Sequence, residues 1–378
     1  MSVKRIVILG GYGNFGKRIA EQLAKDASLI LIIAGRSAVK AESICQKLNE
    51  SGARASLACA PIDLNAANFT SQLADLKPDL VIHTSGPFQG QDYRVPKACI
   101  ACGCHYVDLS DDRRFVCDID SLDQAAKAAG VQIISGASSV PGLSSVVIDQ
   151  YRDQFQRLDS IDFAIAPGNK ADRGEATVKG ILSYTGHPFP VYENGSWQQR
   201  YGWMSIRRWN FGDGVGKRWL ANVDVPDLEL FPTRYSTVQT VRFQAGLELP
   251  ILHLSMSFMA WLCKIKLVKN WLPLSGPIFR LSNLLRRFGT DIGGMRVTLF
   301  GEDKQGKPLS LSWKLNAANG IGPYIPTFST ILVAKKLVAG QSVVGATPCL
   351  GMYSMAEFDQ LAKQFGIHHS VSVEKETN

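Results

Sequence analysis

The chain has few cysteines and lacks a start typical of a secreted protein. Eight cysteines among 378 residues do not indicate a disulfide-stapled scaffold. The run from Lys4 to Leu9 has the pattern of a strand, whereas a signal peptide needs a charged start and a long apolar region. We therefore expect a cytoplasmic protein whose thiols are reduced.

Long apolar runs, internal repeats and low-complexity tracts are also absent. The most apolar stretch, Leu249 to Cys263, would form a helix of about 22 Å, whereas the hydrocarbon core of a bilayer is about 30 Å thick. It cannot span a membrane. The chain does have enough length and apolar content for two globular domains, with 378 residues of which 46% are hydrophobic. Its formal net charge of +8 favours anionic partners.

Residues 1–137 alternate short β-branched runs with helical patterns, such as the one from Phe15 to Lys25. This alternation is typical of βαβ units and predicts an α/β domain with a doubly wound parallel sheet. The expected strands lie near Arg5 to Leu9, Leu29 to Ala34, Ala55 to Ala60, Leu80 to Thr84, His105 to Leu109 and Val131 to Ser135.

After Pro141 the pattern changes to longer strands, many aromatics and turn signals, which predicts a second, α+β domain over residues 138–326. An antiparallel hairpin is expected from Met295 to Ala318. A helix from Thr327 to Val338 opens a C-terminal segment, residues 327–378, which we expect to pack back on the first domain. The cleft between the two domains is the expected place for a substrate.

A glycine-rich loop follows the first strand and opens the first helix, with the sequence Gly11-Tyr12-Gly13-Asn14-Phe15-Gly16. Gly11 permits the tight turn, Gly13 lets the backbone approach a pyrophosphate, and Gly16 lets the helix sit close to the strand. The free amides and positive dipole end of the helix face the phosphates. The loop predicts a Rossmann-type dinucleotide site, with a purely structural turn as the alternative.

The end of the second strand indicates which dinucleotide is bound. NAD-preferring sites place an acidic residue there to bind the ribose hydroxyls, whereas this chain has Arg36 and Ser37. Arg36 can pair with a 2′-phosphate and Ser37 can donate a further bond, so the sequence predicts NADP(H). The alternative is that Arg36 is merely solvated. Asp63, just past the third strand, is expected either to contact adenine or to cap the next helix.

The tails of the fourth and fifth strands are expected to line the reactive end of the site, because ligands of open α/β sheets lie beyond the carboxyl ends of the strands. Ser85, Gly86 and Pro87 follow the fourth strand and are predicted to contact the cofactor. A proton donor within reach of the substrate is also needed if an imine or enolate is reduced. The candidates are Tyr93, Tyr106, Asp108 and Asp111, each with a structural role as the alternative; we expect His105 to be a packing residue.

Five segments together resemble one known family. They are GGYGNFG, AGRS, SGPFQGQ, ACIACGCHYVDLSDD and SGASSVPGL, all within residues 5–145. In these segments the chain resembles the saccharopine dehydrogenase-like NADP-binding oxidoreductases. The resemblance implies a Rossmann domain, a second domain that supplies substrate contacts and often a homodimer interface, and hydride transfer at a C=N or C=C bond. Ser138, Ser139 and Val140 stand before Pro141 where the saccharopine-forming members carry Leu-Asp, which does not favour saccharopine itself as the substrate.

Three further features admit more than one interpretation. Cys99, Cys102 and Cys104 have no second CxxC, so we predict core packing and no metal. Aromatics and bases interleave from Trp197 to Trp219, and we expect substrate or interface lining, or ordinary strands, rather than nucleic-acid binding. The apolar, basic stretch over residues 249–288 indicates buried helix packing or dimerisation, with an anionic membrane surface or a lipid pocket as the alternative.

The sequence therefore predicts an NADPH-dependent reductase of a small or lipid-linked C=N or C=C substrate. Two alternatives stay open at this point. One is a membrane-associated enoyl or lipid-intermediate reductase, which the apolar, basic stretch favours. The other is a protein that binds NADP without turnover and uses its occupancy to fix a domain angle or a partner.

Overall fold

A computed structural model describes residues 3–212 and 214–375. Its strands are β1 (Lys4–Leu9), β2 (Leu29–Gly35), β3 (Ser56–Pro61), β4 (Leu80–His83), β5 (His105–Asp108), β6 (Gln132–Ser135), β7 (Phe155–Ala166), β8 (Pro188–Glu193), β9 (Ser196–Tyr201), β10 (Arg207–Asn210), β11 (Lys217–Asn222), β12 (Thr240–Ala245), β13 (Gly293–Asp303), β14 (Pro308–Ala317), β15 (Gly345–Pro348) and β16 (His369–Lys375).

The α-helices are α1 (Asn14–Leu23), α2 (Ala38–Glu50), α3 (Phe69–Asp75), α4 (Arg94–Ala101), α5 (Arg113–Cys117), α6 (Asp123–Ala128), α7 (Ser144–Tyr151), α8 (Glu175–Tyr184), α9 (Asp227–Arg234), α10 (Pro250–Lys264), α11 (Ser275–Leu284), α12 (Ile325–Val338) and α13 (Met355–Lys363). Short 3₁₀ turns lie at Asp118–Leu122, Arg152–Gln154, Leu272–Leu274, Leu285–Arg287 and Gly322–Tyr324, and a kinked turn lies at Ser139–Leu143.

The chain divides into two compact units. The first unit comprises residues 1–143 and 324–353, and the second comprises residues 144–323 and 354–378. The sequence placed the boundary at 137/138 and predicted a C-terminal segment, residues 327–378, that packs back on the first domain; in the structure residues 324–353 belong to the first unit and residues 354–378 to the second. The outermost residues of these ranges, 1–2 and 376–378, lie outside the described residues.

The sheet of the first unit is entirely parallel, with the strand order β3-β2-β1-β4-β5-β6-β15. Ile6, Val7, Ile8 and Leu9 of β1 are all buried, as expected for a parallel strand covered on both faces. The strand order turns back at β1, since β2 and β4 flank it, and this switch point opens a crevice at the carboxyl ends of the strands. The predicted Rossmann-type fold is confirmed.

Each of the six predicted strands is present within two residues of its expected bounds. The seventh strand, β15, was missed because its sequence Gly345-Ala346-Thr347-Pro348 has no β-branched run and ends in proline. Proline is tolerated there because β15 is an edge strand, paired only with β6. The helix predicted from Thr327 begins two residues earlier, at Ile325, and belongs to the first unit.

The second unit contains a mixed sheet with the order β10-β11-β12-β7-β13-β14-β16 and a separate hairpin of β8 and β9. Strand β7 lies at its centre, and β13 beside it forms an antiparallel hairpin with β14, in which Glu302 pairs with Pro308 across the turn. The alternation in the sequence thus gave the correct pairing and turn. Helices accompany this sheet, which confirms the predicted α+β class.

Candidate functional site

The glycine loop joins β1 to α1 at the switch point of the sheet. Gly10, with a φ of +78°, begins the turn, and the Gly13 amide donates to the Gly10 carbonyl over 2.7 Å. A Cβ on Gly16 would lie 2.3 Å from the Gly10 oxygen and 2.7 Å from the Gly11 Cα, both backbone atoms. Only glycine therefore lets α1 begin so close to the strand.

The start of α1 fits a pyrophosphate. Gly13 precedes the first turn in an extended conformation, and no side chain caps the helix. The first turn has no acidic residue that would repel a phosphate. A Cβ on Gly13 would approach the Gly10 oxygen to 2.9 Å, so glycine keeps the backbone open at this position. Backbone amides and the dipole of a helix start are the groups that bind phosphates.

The end of β2 fits a 2′-phosphate. Arg36 is exposed and has no acidic partner among the described residues. Ser37 caps α2 by accepting from the Lys40 amide over 3.4 Å, so its hydroxyl is partly used in the helix start. Tyr12 lies across Gly35, where an added Cβ would lie 2.6 Å from the ring, and its hydroxyl accepts from the Ser37 amide over 3.2 Å.

Lys40 is a basic residue at this end of the sheet that the sequence reasoning missed. Its Nζ lies 6.0 Å from the centre of the Tyr12 ring, on the first turn of α2. The signal was present in the sequence, because Lys40 stands four residues after Arg36 and near the positive end of the helix. Two bases, Arg36 and Lys40, thus lie at the end of β2, where the sequence predicts the adenosine ribose.

Asp63 lies past the carboxyl end of β3 and is exposed. Its Oδ1 accepts from the Asn65 amide over 3.0 Å in a turn, and α3 begins only at Phe69 after Asn68. Asp63 therefore does not cap α3, which was the alternative to adenine contact. Its role at the cofactor stays a prediction.

The tail of β4 lies against the glycine loop. Thr84 Oγ1 donates to the carbonyls of Leu9 and Gly10 over 2.9 and 3.1 Å. A Cβ on Gly10 would lie 2.7 Å from Ser85 Oγ, so Ser85 is adjacent to the phosphate loop. Gly86 and Pro87 follow, joined by a cis peptide bond. Gln91 Nε2 fixes this turn by donating to the carbonyls of Ser85 and Pro87 over 2.9 and 2.6 Å.

Behind this tail, three polar side chains meet in the interior of the first unit. His83, Tyr106 and Asp108 have no exposed surface. His83 Nδ1 lies 3.0 Å from the Tyr106 hydroxyl, and hydrogen bonding from that hydroxyl also acts on Asp108 and lowers its pKa. Asp108 Oδ2 and His83 Nε2 are buried and have no hydrogen-bond partner among the described residues.

Burial is the main cause of the pKa shifts of Asp108 and His83. It raises the pKa of Asp108 to about 6, although the amides of Gly136 and Ser110 and the Ser135 hydroxyl donate to its carboxylate and lower the pKa. It lowers the pKa of His83 to about 3, so His83 is neutral at physiological pH. Asp108 Oδ1 accepts from the Gly136 amide over 2.8 Å and from Ser135 Oγ over 3.0 Å, which ties β5 to the end of β6.

The other two predicted proton donors lie outside this buried group. Asp111 is exposed and accepts from Gln89 Nε2 over 3.2 Å, which links the loops after β4 and β5. The Tyr93 hydroxyl donates to the Phe115 carbonyl over 2.9 Å, and burial raises the pKa of Tyr93. Of the four, Asp111 alone is an exposed acid at the carboxyl edge of the sheet; the catalytic role of each stays a prediction.

His105 and the cysteines behave as packing residues. His105 begins β5, at the edge of the sheet opposite the predicted site, and its Nδ1 accepts from the Gln132 amide over 3.0 Å. Cys99 and Cys104 belong to the apolar core beside the sheet. Within residues 3–212 and 214–375, no cluster of His, Cys, Asp or Glu could hold a metal ion.

The aromatic and basic stretch of the second unit is used in internal pairing. Arg207 binds both carboxylate oxygens of Asp162, over 2.7 and 2.5 Å, and its guanidinium lies 4.5 Å from the Trp209 ring centre. Arg218 pairs with Glu248 over 3.2 Å. Such bases stabilise the sheet through ion pairs and cation–π contacts, a local reason for this composition.

Comparison with known proteins agrees with this geometry. Residues 6–134 match the family model described as the saccharopine dehydrogenase NADP binding domain. This part of the chain is a saccharopine dehydrogenase-like NADP-binding domain. The match covers the glycine loop, Arg36 and the tails of β4 and β5, and it supports NADP(H) as the cofactor.

Two kinds of relative extend the comparison. Over 147 residues the chain is 32% identical to a provisionally named trans-acting enoyl reductase of Mycobacterium tuberculosis, and the same match occurs in two strains. The match covers 37% of this chain and only 34% of that relative. A solved structure of apo saccharopine dehydrogenase (L-Glu forming) from Saccharomyces cerevisiae is 14% identical, with a TM-score of 0.70 over 98% of this chain and 100% of that one. That likeness shows a shared fold across both units.

Proposed function

We propose that the protein is an NADP(H)-dependent oxidoreductase that exchanges a hydride with a C=N or C=C bond of a small or lipid-linked substrate. The observation that carries this proposal is the arrangement at the switch point of the first unit. A glycine-rich loop that opens a helix, two bases in place of the usual carboxylate, and two tethered strand tails lie along one edge of one sheet. An extended dinucleotide requires this order of features.

Different residues bind different parts of the dinucleotide. The amides of the first turn of α1, which follows the glycine loop, hold the pyrophosphate, and Arg36 pairs with the 2′-phosphate while Lys40 adds charge beside Tyr12. Ser85, Gly86 and Pro87 then lie beside the loop, where the nicotinamide half leaves the phosphates. Bound NADPH supplies a hydride to the carbon of the substrate double bond and becomes NADP⁺.

The buried group of His83, Tyr106 and Asp108 acts in this proposal by positioning. Its members lie beneath the strand tails and have no surface to offer a substrate. Asp108 fixes the ends of β5 and β6 relative to each other, and His83 is the last residue of β4. The reduction also consumes a proton, at nitrogen or at the second carbon. Asp111 is the side chain we propose to hold that proton, because it is the exposed acid on the loop after β5.

A narrower candidate is the reduction of an enoyl group on a lipid intermediate. Two observations favour it: the name of the Mycobacterium tuberculosis relatives and the large exposed apolar surface of the second unit. The place of the substrate in a cleft between the domains stays a prediction from the sequence. So does the alternative of a protein that binds NADP without turnover.

Substitution of Arg36 by alanine tests the cofactor assignment. Loss of a charged pair to the 2′-phosphate is expected to weaken NADPH binding by about 10- to 100-fold, since hydrogen bonds to charged groups contribute about 1.5–3 kcal/mol, and to leave NADH binding almost unchanged. Fluorescence titration with both nucleotides measures this. Lys47→Ala, on the last turn of α2, is the matched control and keeps both affinities. If Arg36→Ala keeps the wild-type ratio of NADPH affinity to NADH affinity, Arg36 does not bind the 2′-phosphate.

Deuteride transfer tests turnover. NADPH labelled with deuterium at C4 is incubated with an enoyl thioester and with a cyclic imine, and the products are examined by mass spectrometry. Stereospecific label in either product supports the oxidoreductase, and label in the enoyl product alone selects the narrower candidate. NADPH binding without label in any product of a wider panel of both classes identifies a binding protein.

A further inference from the structure

Residues 249–288 of the second unit form one segment with an unusual composition, here called the apolar-basic segment. It comprises α10, the turn Leu272–Leu274, α11 and the turn Leu285–Arg287. It contains no aspartate or glutamate, while Lys264, Lys266, Lys269, Arg280, Arg286 and Arg287 are all basic. Any partner that favours it electrostatically therefore carries negative charge.

Helix α10 is apolar on two faces. His253, Met256, Ala260 and Cys263 recur at helical spacing and are buried. A second stripe at helical spacing points away from the unit and is exposed: Ile251, Leu254, Phe258, Trp261 and Ile265. A surface helix ordinarily has charged or polar residues on its outer face, so the second stripe is not explained by the fold of this unit.

The exposure continues along the whole segment. Eleven of the 20 large hydrophobic residues exposed in the described structure lie between Ile251 and Phe288. Phe258 is 59% exposed and Trp261 is 46% exposed, and their rings stack with centres 5.9 Å apart. Leu267, Leu281 and Leu284 are each at least 60% exposed. An exposed apolar helix face of this kind indicates an interaction site. The sequence predicted buried helix packing or dimerisation for this segment; its outer faces are exposed in the single chain, and dimerisation stays a prediction.

The segment is fastened to the sheet at both ends. Glu248 lies just before it and accepts from the amides of Asn169 and Thr290, over 2.7 and 2.9 Å, and from Arg218. Asn169 Nδ2 in turn donates to the carbonyls of Leu285 and Phe288, over 2.7 and 2.9 Å. The exposed apolar face is thus held in one place and is not a frayed end.

The basic residues divide into engaged and unengaged ones. Lys264 lies 4.6 Å from the Tyr201 ring centre, and Arg286 pairs with Asp172 over 3.0 Å. Lys266, Lys269 and Arg280 are exposed, and no described acidic side chain pairs with them. These three bases of the apolar-basic segment are therefore available to an outside partner.

We propose that the apolar-basic segment is a binding surface for an anionic lipid bilayer, on which α10 lies in the plane of the interface. Aromatic and aliphatic side chains enter the boundary of headgroups and acyl chains while the bases meet lipid phosphates and carboxylates, the usual arrangement of interfacial helices. No helix of the described chain is both long and apolar enough to cross a bilayer. A second copy of this segment fits less well, because a twofold contact would bring its bases against one another. The proposal does not depend on the reaction catalysed.

Vesicle flotation of the full chain tests this proposal. The protein is mixed with vesicles of phosphatidylcholine alone or of phosphatidylcholine with phosphatidylserine, and the floated fraction is measured against lipid concentration. Binding is expected only to the anionic mixture. Because each base near such a surface contributes roughly a fivefold factor, Lys266→Glu/Lys269→Glu/Arg280→Glu is expected to weaken binding by about 100-fold or more.

A second variant tests the apolar contribution. Phe258→Ser/Trp261→Ser is expected to lose flotation, while Val343→Ser/Val344→Ser, a matched pair of exposed apolar residues on the first unit, keeps it. NADPH binding should be unchanged in all of these variants, which separates this result from the proposed function. Absence of wild-type flotation overturns the proposal. So does a stable dimer in solution that Phe258→Ser/Trp261→Ser converts to monomer.

Discussion

The strand tails of the first unit and the apolar-basic segment of the second depart from ordinary burial in opposite directions. In the first, a histidine, a tyrosine and an aspartate lie without exposed surface in an apolar sheet. In the second, phenylalanine, tryptophan and leucine side chains face solvent. Buried polar groups are costly unless they are paired, and exposed apolar patches are costly unless they are covered.

The comparison teaches how each departure can be interpreted. Part of the buried polar group is bonded inside its own unit, since Asp108 Oδ1 accepts from the Gly136 amide and Ser135 Oγ, while Asp108 Oδ2 and His83 Nε2 have no hydrogen-bond partner among the described residues. Its bonded atoms have an internal role, which is to fix the ends of β5 and β6. The apolar-basic segment has no internal explanation for its outer face and indicates an external partner. The predictions below test the first unit at three places: the glycine loop, the buried Asp108 and the exposed Lys40.

The largest effect is expected at Gly16. Gly16→Ala places a Cβ 2.3 Å from the Gly10 oxygen, so the loop has to move and NADPH binding should fall below detection. Titration with NADPH measures this, and circular dichroism checks that the variant folds. Gly322→Ala is the control, because a Cβ there meets no atom within 4 Å. Unchanged affinity in a folded Gly16→Ala would show that the loop does not hold the pyrophosphate.

Asp108→Asn is expected to change how stability depends on pH. The pKa of Asp108 is raised from 3.8 to about 6, so the folded state holds this proton more tightly than the unfolded state. The stability of the wild type relative to Asp108→Asn should therefore fall as the pH rises from about 4 to about 6, by about 3 kcal/mol in order of magnitude, and then level off.

Urea unfolding of both proteins at several pH values, followed by circular dichroism, measures this difference. His83 acts in the opposite sense, because its pKa is lowered to about 3 and its stabilising effect is lost as the pH falls below about 6.5. Its contribution is shared by both proteins and cancels in the difference. A pH-independent difference would mean that Asp108 is not buried as a charge-sensitive group.

The smallest effect is expected at Lys40. Lys40→Ala removes an exposed charge near Tyr12, and NADPH binding should weaken by about two- to fivefold, in line with an exposed ion pair. Titration at low and high salt checks the cause, because the difference should shrink as salt screens the charge. If Lys40→Ala loses as much NADPH affinity as Arg36→Ala, Lys40 would be a main contact of the 2′-phosphate, contrary to the proposal.

The elements of the first unit were predictable because their signals are local. Glycine spacing, β-branched runs and Arg36 after β2 each lie within a few residues of one another. The buried contact of His83 with Tyr106 was not predictable, since it joins two strands that pair only after the sheet forms. The contact between Cys45 and Cys59, whose Sγ atoms lie 2.8 Å apart, was missed for the same reason. The sequence left open what covers the outer face of α10, because composition alone cannot tell which of two apolar faces is packed.

The most direct test of the central claim is the relative affinity of the wild-type protein for NADPH and NADH, measured by fluorescence titration in one buffer. The account predicts that NADPH binds tighter by about 10- to 100-fold, because Arg36 and the absent carboxylate favour the 2′-phosphate. Equal affinities, or a preference for NADH, would contradict it.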